Sequence, residues 1–436
     1  MRAPAGWLFA ATIVSACCLS ACPAPRRPTQ PAGAFTLEIG RDGGSLHGIA
    51  GDADHSYAAL TTRGQTTSAQ TTIEARRGSQ LVWKTELAGE GGPLARTPTL
   101  VIAAVLGGSA AGVTLRGEPG AVVVGLDPRT GVARWKLAVD SSEWALVAAI
   151  AAAGEDVIVG GSFAGTLRAG AKTVSSAGKS DGFVARITAT GEVVWIVRLG
   201  GPGADAVAGV ASTGSRVVIA GTFAAGADLL GEPFAAYDER TPRADGFVAE
   251  LDGAGARRWS TTFGGRMDDS VAGVAIDGAG RIAVAANTRE VVKIAAGEVI
   301  AMGDGDGAIA WWSKDGVPGP IVQLGGPEFD GVRAITAAGD RVVVAGFFSG
   351  TMRLGERILT AGGGDDAFVV AYENGAFVEL WPITGEGREE VAALAGIPGG
   401  FIAGVTHTAR ATIGGADVAA PRDPTSGAAL VVRAVP

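Results

Sequence analysis

Histidine and cysteine are both rare in this chain of 436 residues, which has three of each. All three cysteines, Cys17, Cys18 and Cys22, fall within the first two dozen residues, so the remainder can form neither a disulfide nor a cysteine metal site. His47, His55 and His407 are far apart in sequence and give histidine-based acid–base or metal chemistry little to work with. There is no HExxH pair, no nucleophile-elbow serine and no glycine-rich nucleotide fingerprint opening a helix. Basic residues nowhere cluster and the formal charge is −8, which argues against nucleic acid as a partner. Long helical periodicity is missing too. In its place are 69 glycines, a positive mean hydropathy and many short apolar runs, the profile of a chain of strands and tight turns.

The first 33 residues read as an address. Arg2 precedes an apolar stretch, Trp7 to Ala16, that is too short to span a bilayer. It runs into Leu19-Ser20-Ala21-Cys22, which resembles the bacterial lipobox. That resemblance implies cleavage before Cys22 and acylation of its thiol, and multiple acyl chains give firm membrane attachment. The alternative is an ordinary secretory peptide. Residues 1–21 are therefore expected to be a signal peptide, and 22–33 a lipidated cysteine followed by a Pro-rich, semi-rigid tether. Pro23, a non-acidic residue after the lipobox, favours the outer membrane by likeness to lipoprotein sorting, with the domain facing the periplasm or the cell exterior.

Residues 34–436 repeat. RRWSTTFGGRMDDSVAGVAID (257–277) echoes VVWIVRLGGPGADAVAGVAST (193–213), and AFTLEIGRDGGSLHGIAGD (34–52) is a clipped copy without the Trp. Each unit has two apolar runs, a variable connection, a DGFVAEL-like run, a turn and a run holding Trp. Units fall at 45–87, 91–139, 142–199, 203–263, 267–324, 327–383 and 388–436. The fourth runs hold Trp83, Trp135, Trp195, Trp259 and Trp381, and Pro320 takes the Trp place in the fifth unit. Four strands per unit at this spacing predict an all-β, seven-bladed propeller of four-stranded antiparallel blades, with six or eight blades as the alternative. The last unit has three runs, and Phe35 to Ile39 supplies the fourth, so an N-terminal strand is expected to complete the final blade.

On SDGFVARITATGEVVWIVRLGG (180–201), ADGFVAELDGAGARRWSTTFGG (244–265) and FFSGTMRLGERILTAGGGDDAFVVAY (347–372) the chain resembles bacterial β-propeller repeat proteins, including seven-bladed exported lipoproteins. GAVVVGLDPRTGVARWKLAV (120–139) is also similar to pyrroloquinoline-quinone-type propeller repeats, a group that includes the lipoprotein of the outer-membrane barrel-assembly machinery. The resemblance implies a fold and leaves function open.

An acid recurs six residues past each blade's last apolar residue: Asp205, Asp269, Asp330 and Glu390. The family geometry puts this loop at the channel mouth. The acids there either form a vestibule for a cation or cationic ligand, or tie Gly-rich loops together by accepting main-chain N–H bonds. Asp181, Asp245, Asp306 and Asp366 open the third strands and read as turn residues. MGDGDGAIA (302–310) is a partial calcium loop lacking ligands. The paired glycines of LGG and FGG read as turns. His47 and His407 sit in adjacent blades of a closed ring and could approach near the channel. The connection 224–245 is longer than its counterparts and carries Phe234, Tyr237, Arg240 and Arg243, while Trp144 sits on the same face. These form the expected partner surface, against the alternatives of a solvated loop and a buried Trp.

The reading is a non-catalytic, membrane-tethered monomer, without cofactor or metal, that binds a protein, peptide or glycan in the envelope. The alternatives are an assembly factor of the barrel-assembly type, and a propeller lyase or hydrolase with an acidic channel mouth.

Overall fold

The computed structural model describes residues 36–434 apart from 43–44, 63–68, 108, 111, 116–118, 239–242, 295–296 and 422–427, with backbone alone for 36–42 and 428–434. Cys22 and the segments 1–21 and 22–33, expected to be signal peptide and tether, lie outside the described residues. Valine, isoleucine, alanine and phenylalanine in runs bounded by Gly-Asp and Gly-Gly give strands throughout, and every regular element among the described residues is a strand. The architecture is an all-β propeller. Seven sheets contain four or more strands, each antiparallel, and all but the last run in chain order from the channel outward. Blade one is Ser45–Gly51, Ser56–Thr62, Gln70–Arg77 and Gln80–Ala88. Blade four is Ala206–Thr213, Arg216–Phe223, Asp245–Leu251 and Arg257–Gly265, and blade five is Ser270–Ile276, Ile282–Thr288, Asp306–Trp312 and Pro318–Leu324.

The last sheet closes the ring. Glu389–Ile397, Gly400–His407 and Ala428–Ala434 are joined at the outer edge by Thr36–Asp42, which pairs from Thr36 with Arg433 to Asp42 with Ala428. An unclosed last blade would leave a free edge, and the early strand removes it. Seven apolar clusters fill the seven gaps between neighbouring sheets, the last one joining Leu46 and Leu60 of blade one to Ile397 and Ile402 of blade seven. Every first strand carries a register irregularity near its start, such as Val207/Gly209 and Val271/Gly273. Such bulges sharpen local twist and let the innermost strands wrap the axis.

The connection between strands two and three forms a hairpin in several blades, and 224–245, the longer one, shares that plan. In blade three it forms Thr166–Ala169 and Lys172–Ser175, which extend the outer strand of blade two. Asp228–Leu229 and Glu232–Pro233 do the same for blade three, Val291–Ile294 and Gly297–Ile300 for blade four, and Ala411–Ile413 and Ala416–Val418 for blade six. Each hairpin is a clasp from one blade onto its predecessor. Leu229 and Phe234 of the blade-four clasp lie in the core between blades three and four.

On the opposite face, the turn between strands three and four reaches back to the tryptophan of the preceding blade. Trp83 Nε1 donates to Pro128 O at 2.9 Å, Trp135 to Ala189 O at 3.0 Å and Trp195 to Gly253 O at 3.0 Å. A Cβ on Gly131, Gly191, Gly255 or Gly316 would lie 3.0 Å or less from the ring of Trp83, Trp135, Trp195 or Trp259 respectively. These turn glycines have positive φ, so both the backbone conformation and the close approach demand glycine. Pro320 fits the same scheme, since Gly375 packs on its ring. Replacing Trp83, 8% exposed, with Ala is expected to lower unfolding free energy by about 3–5 kcal/mol in chemical denaturation. Gly131→Ala is expected to cost at least about 1 kcal/mol through clash and φ. Wild-type midpoints for both variants would show that these turns hold nothing together.

Candidate functional site

The face that carries the clasps and the blade-to-blade loops also carries the recurring acids, and the structure pairs them. The main-chain N–H of Asp205 donates to Ser180 O, that of Asp269 to Ala244 O, that of Asp330 to Gly305 O and that of Glu389 to Asp365 O, all at 2.9 Å. Each acceptor is the residue just before Asp181, Asp245, Asp306 or Asp366. Four successive junctions therefore place an acid from the third strand of one blade beside an acid at the head of the next. All eight residues are buried.

The seventh-blade member is Glu389, which corrects Glu390. Glu389 pairs in register with His407 and is buried, whereas Glu390 is one residue along, a third exposed, with its carboxylate 3.5 Å from Arg333. A one-residue slip in a strand moves a side chain to the other face, and the six-residue spacing counted from Ile383 gives Glu389.

The paired glycines belong to this arrangement and are not bare turns. In LGG, FGG and LGG, the first glycine makes room for the acid of its own blade. A Cβ on Gly264 would stand 2.0 Å from Asp245 Oδ1, and on Gly325 2.1 Å from Asp306 Oδ1. The second glycine donates its N–H to the acid of the next blade, as Gly201 does to Asp205 Oδ2 at 2.8 Å. Ala224 N–H completes Asp205 at 2.8 Å, Ser349 N–H serves Asp330 at 3.0 Å, and Gly362 N–H serves Asp366 at 2.8 Å. The reading of these acids as main-chain acceptors fits these bonds.

Those bonds do not cover every oxygen. Asp181 Oδ1, Asp245 Oδ1, Asp269 Oδ2, Asp306 Oδ1, Asp330 Oδ2 and both oxygens of Glu389 are buried without a hydrogen-bond partner among the described residues. Burial, and then the neighbouring acid, favour the protonated form. Burial pushes Asp205 up to about 6 despite the N–H groups of Ala224 and Gly201, with repulsion from Asp181 adding to it. Burial and then Asp245 push Asp269 up to about 7. Asp330 rises to about 7, from burial first and from Asp306 and Glu328 after it. Glu389 moves up through burial first and then through the neighbouring Asp366 carboxyl.

The other expected site residues separate. Phe234 is not on the surface: it is 7% exposed, with its ring 5.0 Å from Phe223 and 5.2 Å from Phe247, and it anchors the blade-four clasp. Tyr237 is exposed, with Lys293 Nζ 5.7 Å from its ring, and Arg243 pairs with Asp268 at 3.1 Å. Arg240 lies outside the described residues. Trp144 is half-buried at the head of blade three's first strand, two blades from the blade-five clasp. Among the described residues no group of three or more His, Cys, Asp or Glu is arranged to hold a metal, and MGDGDGAIA is a turn in which Met302 N–H donates to Asp306 Oδ2 at 2.6 Å. His47 lines the channel, while His407 is buried at the end of its strand, with Nδ1–H donating to Ala409 O at 2.7 Å. Ile49, Leu94, Ile150, Val210, Val274, Ile335 and Leu394, one per blade, line both an upper vestibule of 190 Å³ and a lower one of 400 Å³ and form the apolar girdle between them.

No family model matches the chain, and no curated protein resembles it in sequence. Its likenesses are to solved structures. BamB from Moraxella catarrhalis is 13% identical over 89% of this chain and 85% of that one, with a TM-score of 0.43. A europium-containing methanol dehydrogenase is 10% identical over 92% of this chain and 93% of that one, with a TM-score of 0.41. The acylaminoacyl peptidase of Pyrococcus horikoshii is 12% identical over 85% of this chain, with a TM-score of 0.48, and the match spans 50% of the peptidase. At such identities the likeness concerns fold alone.

The raised carboxyls set a direction for stability. The folded state holds protons on Asp205, Asp269 and Asp330 up to pH about 6–7, whereas unfolded carboxyls release them near pH 4. Their contribution is therefore complete below pH 4 and is lost as pH climbs through 6–7. The denaturation midpoint is expected to be higher at pH 5 than at pH 8, and Asp269→Asn with Asp330→Asn should flatten that slope. A midpoint that rises from pH 5 to 8 would contradict the pairing.

Proposed function

We propose that the chain is an exported propeller, held to the outer membrane through Cys22, whose role is to bind a protein partner rather than to catalyse a reaction. The observation that carries the binding role is a patch of exposed apolar side chains around the blade-five clasp. Val291 and Ile300 stand directly opposite each other on its two strands, 38% and 60% exposed, with Met302 beyond them at 52%. Tyr237 flanks the patch on the blade-four side through Lys293, and Phe329, 43% exposed and bridged to Gly305, flanks it on the other. Isolated surface apolar residues are ordinary, but a group rimmed by charges such as Lys293, Glu298, Arg243 and Asp268 is the composition of an interaction surface.

Affinity capture of the tagged protein from its native membrane is expected to recover a partner that Ile300→Asp with Met302→Glu loses, with an unchanged melting temperature. Full retention of the partner by that double variant would remove the surface from consideration. Recovery of barrel-assembly subunits would replace the reading by an assembly-factor role. In the same cells, Cys22→Ala is expected to abolish incorporation of labelled palmitate and release the protein from membranes. Continued labelling would place the lipid elsewhere.

A further inference from the structure

We propose that the upper edge of blade five holds a binding site for a primary ammonium group. The starting observation is a break in the repeat. At the end of their second strands blades three, four and six carry Phe163, Phe223 and Phe348, paired in register with Asp181, Asp245 and Asp366. Two residues past each of those acids stand Phe183, Phe247 and Phe368, and all six rings are almost fully buried. Blade five keeps the acid, Asp306, but pairs it with Thr288 and has Ala308 in the third-strand position.

The change leaves polar atoms inside. Thr288 is 1% exposed, and its Oγ1 has no hydrogen-bond partner among the described residues. Ser270 pairs with Asn287, so Asp269 stands beside Thr288, and Thr288 pairs with Asp306. The three residues form a row across adjacent strands, and Asp269 Oδ2 and Asp306 Oδ1 are likewise buried without a partner. All three line one cavity of 350 Å³, whose far wall comes from blade six: Phe329, Arg333 and Phe347.

The chemistry of that row selects its ligand. Two carboxylate oxygens and a hydroxyl offer three acceptors, and an ammonium presents three N–H donors. Its charge also suits a wall that Asp245 and Asp268 make more negative around Asp269. The protein's own cations are engaged elsewhere: Arg333 lies 4.7 Å over the Phe347 ring and 3.5 Å from Glu390, and the exposed Arg289 is drawn to Asp268. Asn287 is committed to the Val332 main chain, accepting at 2.7 Å and donating at 3.1 Å. Phe329 gives the body of an amine an apolar platform, so an arylalkyl or alkyl amine, or the end of a lysine side chain, is the class that fits.

Calorimetric titration of the purified full chain near neutral pH tests this with phenethylamine and n-butylamine, against n-butanol, butyrate and calcium chloride. Saturable binding of one amine per chain is expected, phenethylamine tighter, with no heat from butanol or butyrate. Thr288→Phe restores the residue of the sister blades and should abolish binding. Should that variant misfold, the near-isosteric Thr288→Val should still weaken binding about tenfold, as loss of one hydrogen bond does. No saturable binding, equal binding of butanol, undiminished binding by the Thr288→Val variant, or calcium uptake that amines fail to displace would each overturn the assignment.

Discussion

The contact on which the ring depends is the seating of one blade's tryptophan on the glycine turn of the next. A four-stranded sheet has two apolar faces and can bury neither by itself, so each blade needs neighbours on both sides. Stacking alone would fix the spacing but leave sheets free to slide. The indole N–H bonds from Trp83, Trp135 and Trp195 to turn carbonyls are directional, and they lock the rotation between blades at one rim. The clasps lock the other rim by adding main-chain pairs to the preceding sheet.

The two rims consequently differ in character. One is aromatic, with Trp83, Trp135 and Trp195 bonded to turn carbonyls. The other concentrates eight buried acids in four pairs, and in three of these one glycine clears a carboxyl and a second donates to its neighbour. Buried carboxyls without full hydrogen bonding weaken a protein at neutral pH, and four copies of the same device imply that it locates blade against blade rather than maximising stability. Function is better sought where the pattern fails. Blade five is that place, with its Trp311 and Trp312 shifted inward, a proline in the tryptophan position, an exposed apolar clasp and a threonine among phenylalanines.

Repetition made much of the fold legible. The strand order, the completing role of the segment after Phe35 and the acids at the junctions follow from aligning one stretch with another, because a repeated structural need leaves a repeated residue. Three matters were missed. Clasp pairing is a contact between different repeats, invisible within any one of them, so Phe234 looked like a surface aromatic when it is a plug. Two glutamates stand side by side at the seventh head, and the six-residue spacing from Ile383 selects Glu389 rather than Glu390. Thr288 was missed although its signal was available, since IAVAANT against VVIAGTF shows a small polar residue in a position of large rings. Attention to what recurs hid what had changed.

The chain's first strand lies on the outside of its last sheet, where Thr36 faces Arg433 and Asp42 faces Ala428. Whatever force reaches the domain through the residues ahead of Thr36 therefore runs along that strand, parallel to its length. A pull along its length would load its main-chain links together, as in a lap joint. The seam that shuts the ring is thus where such a tension would act first.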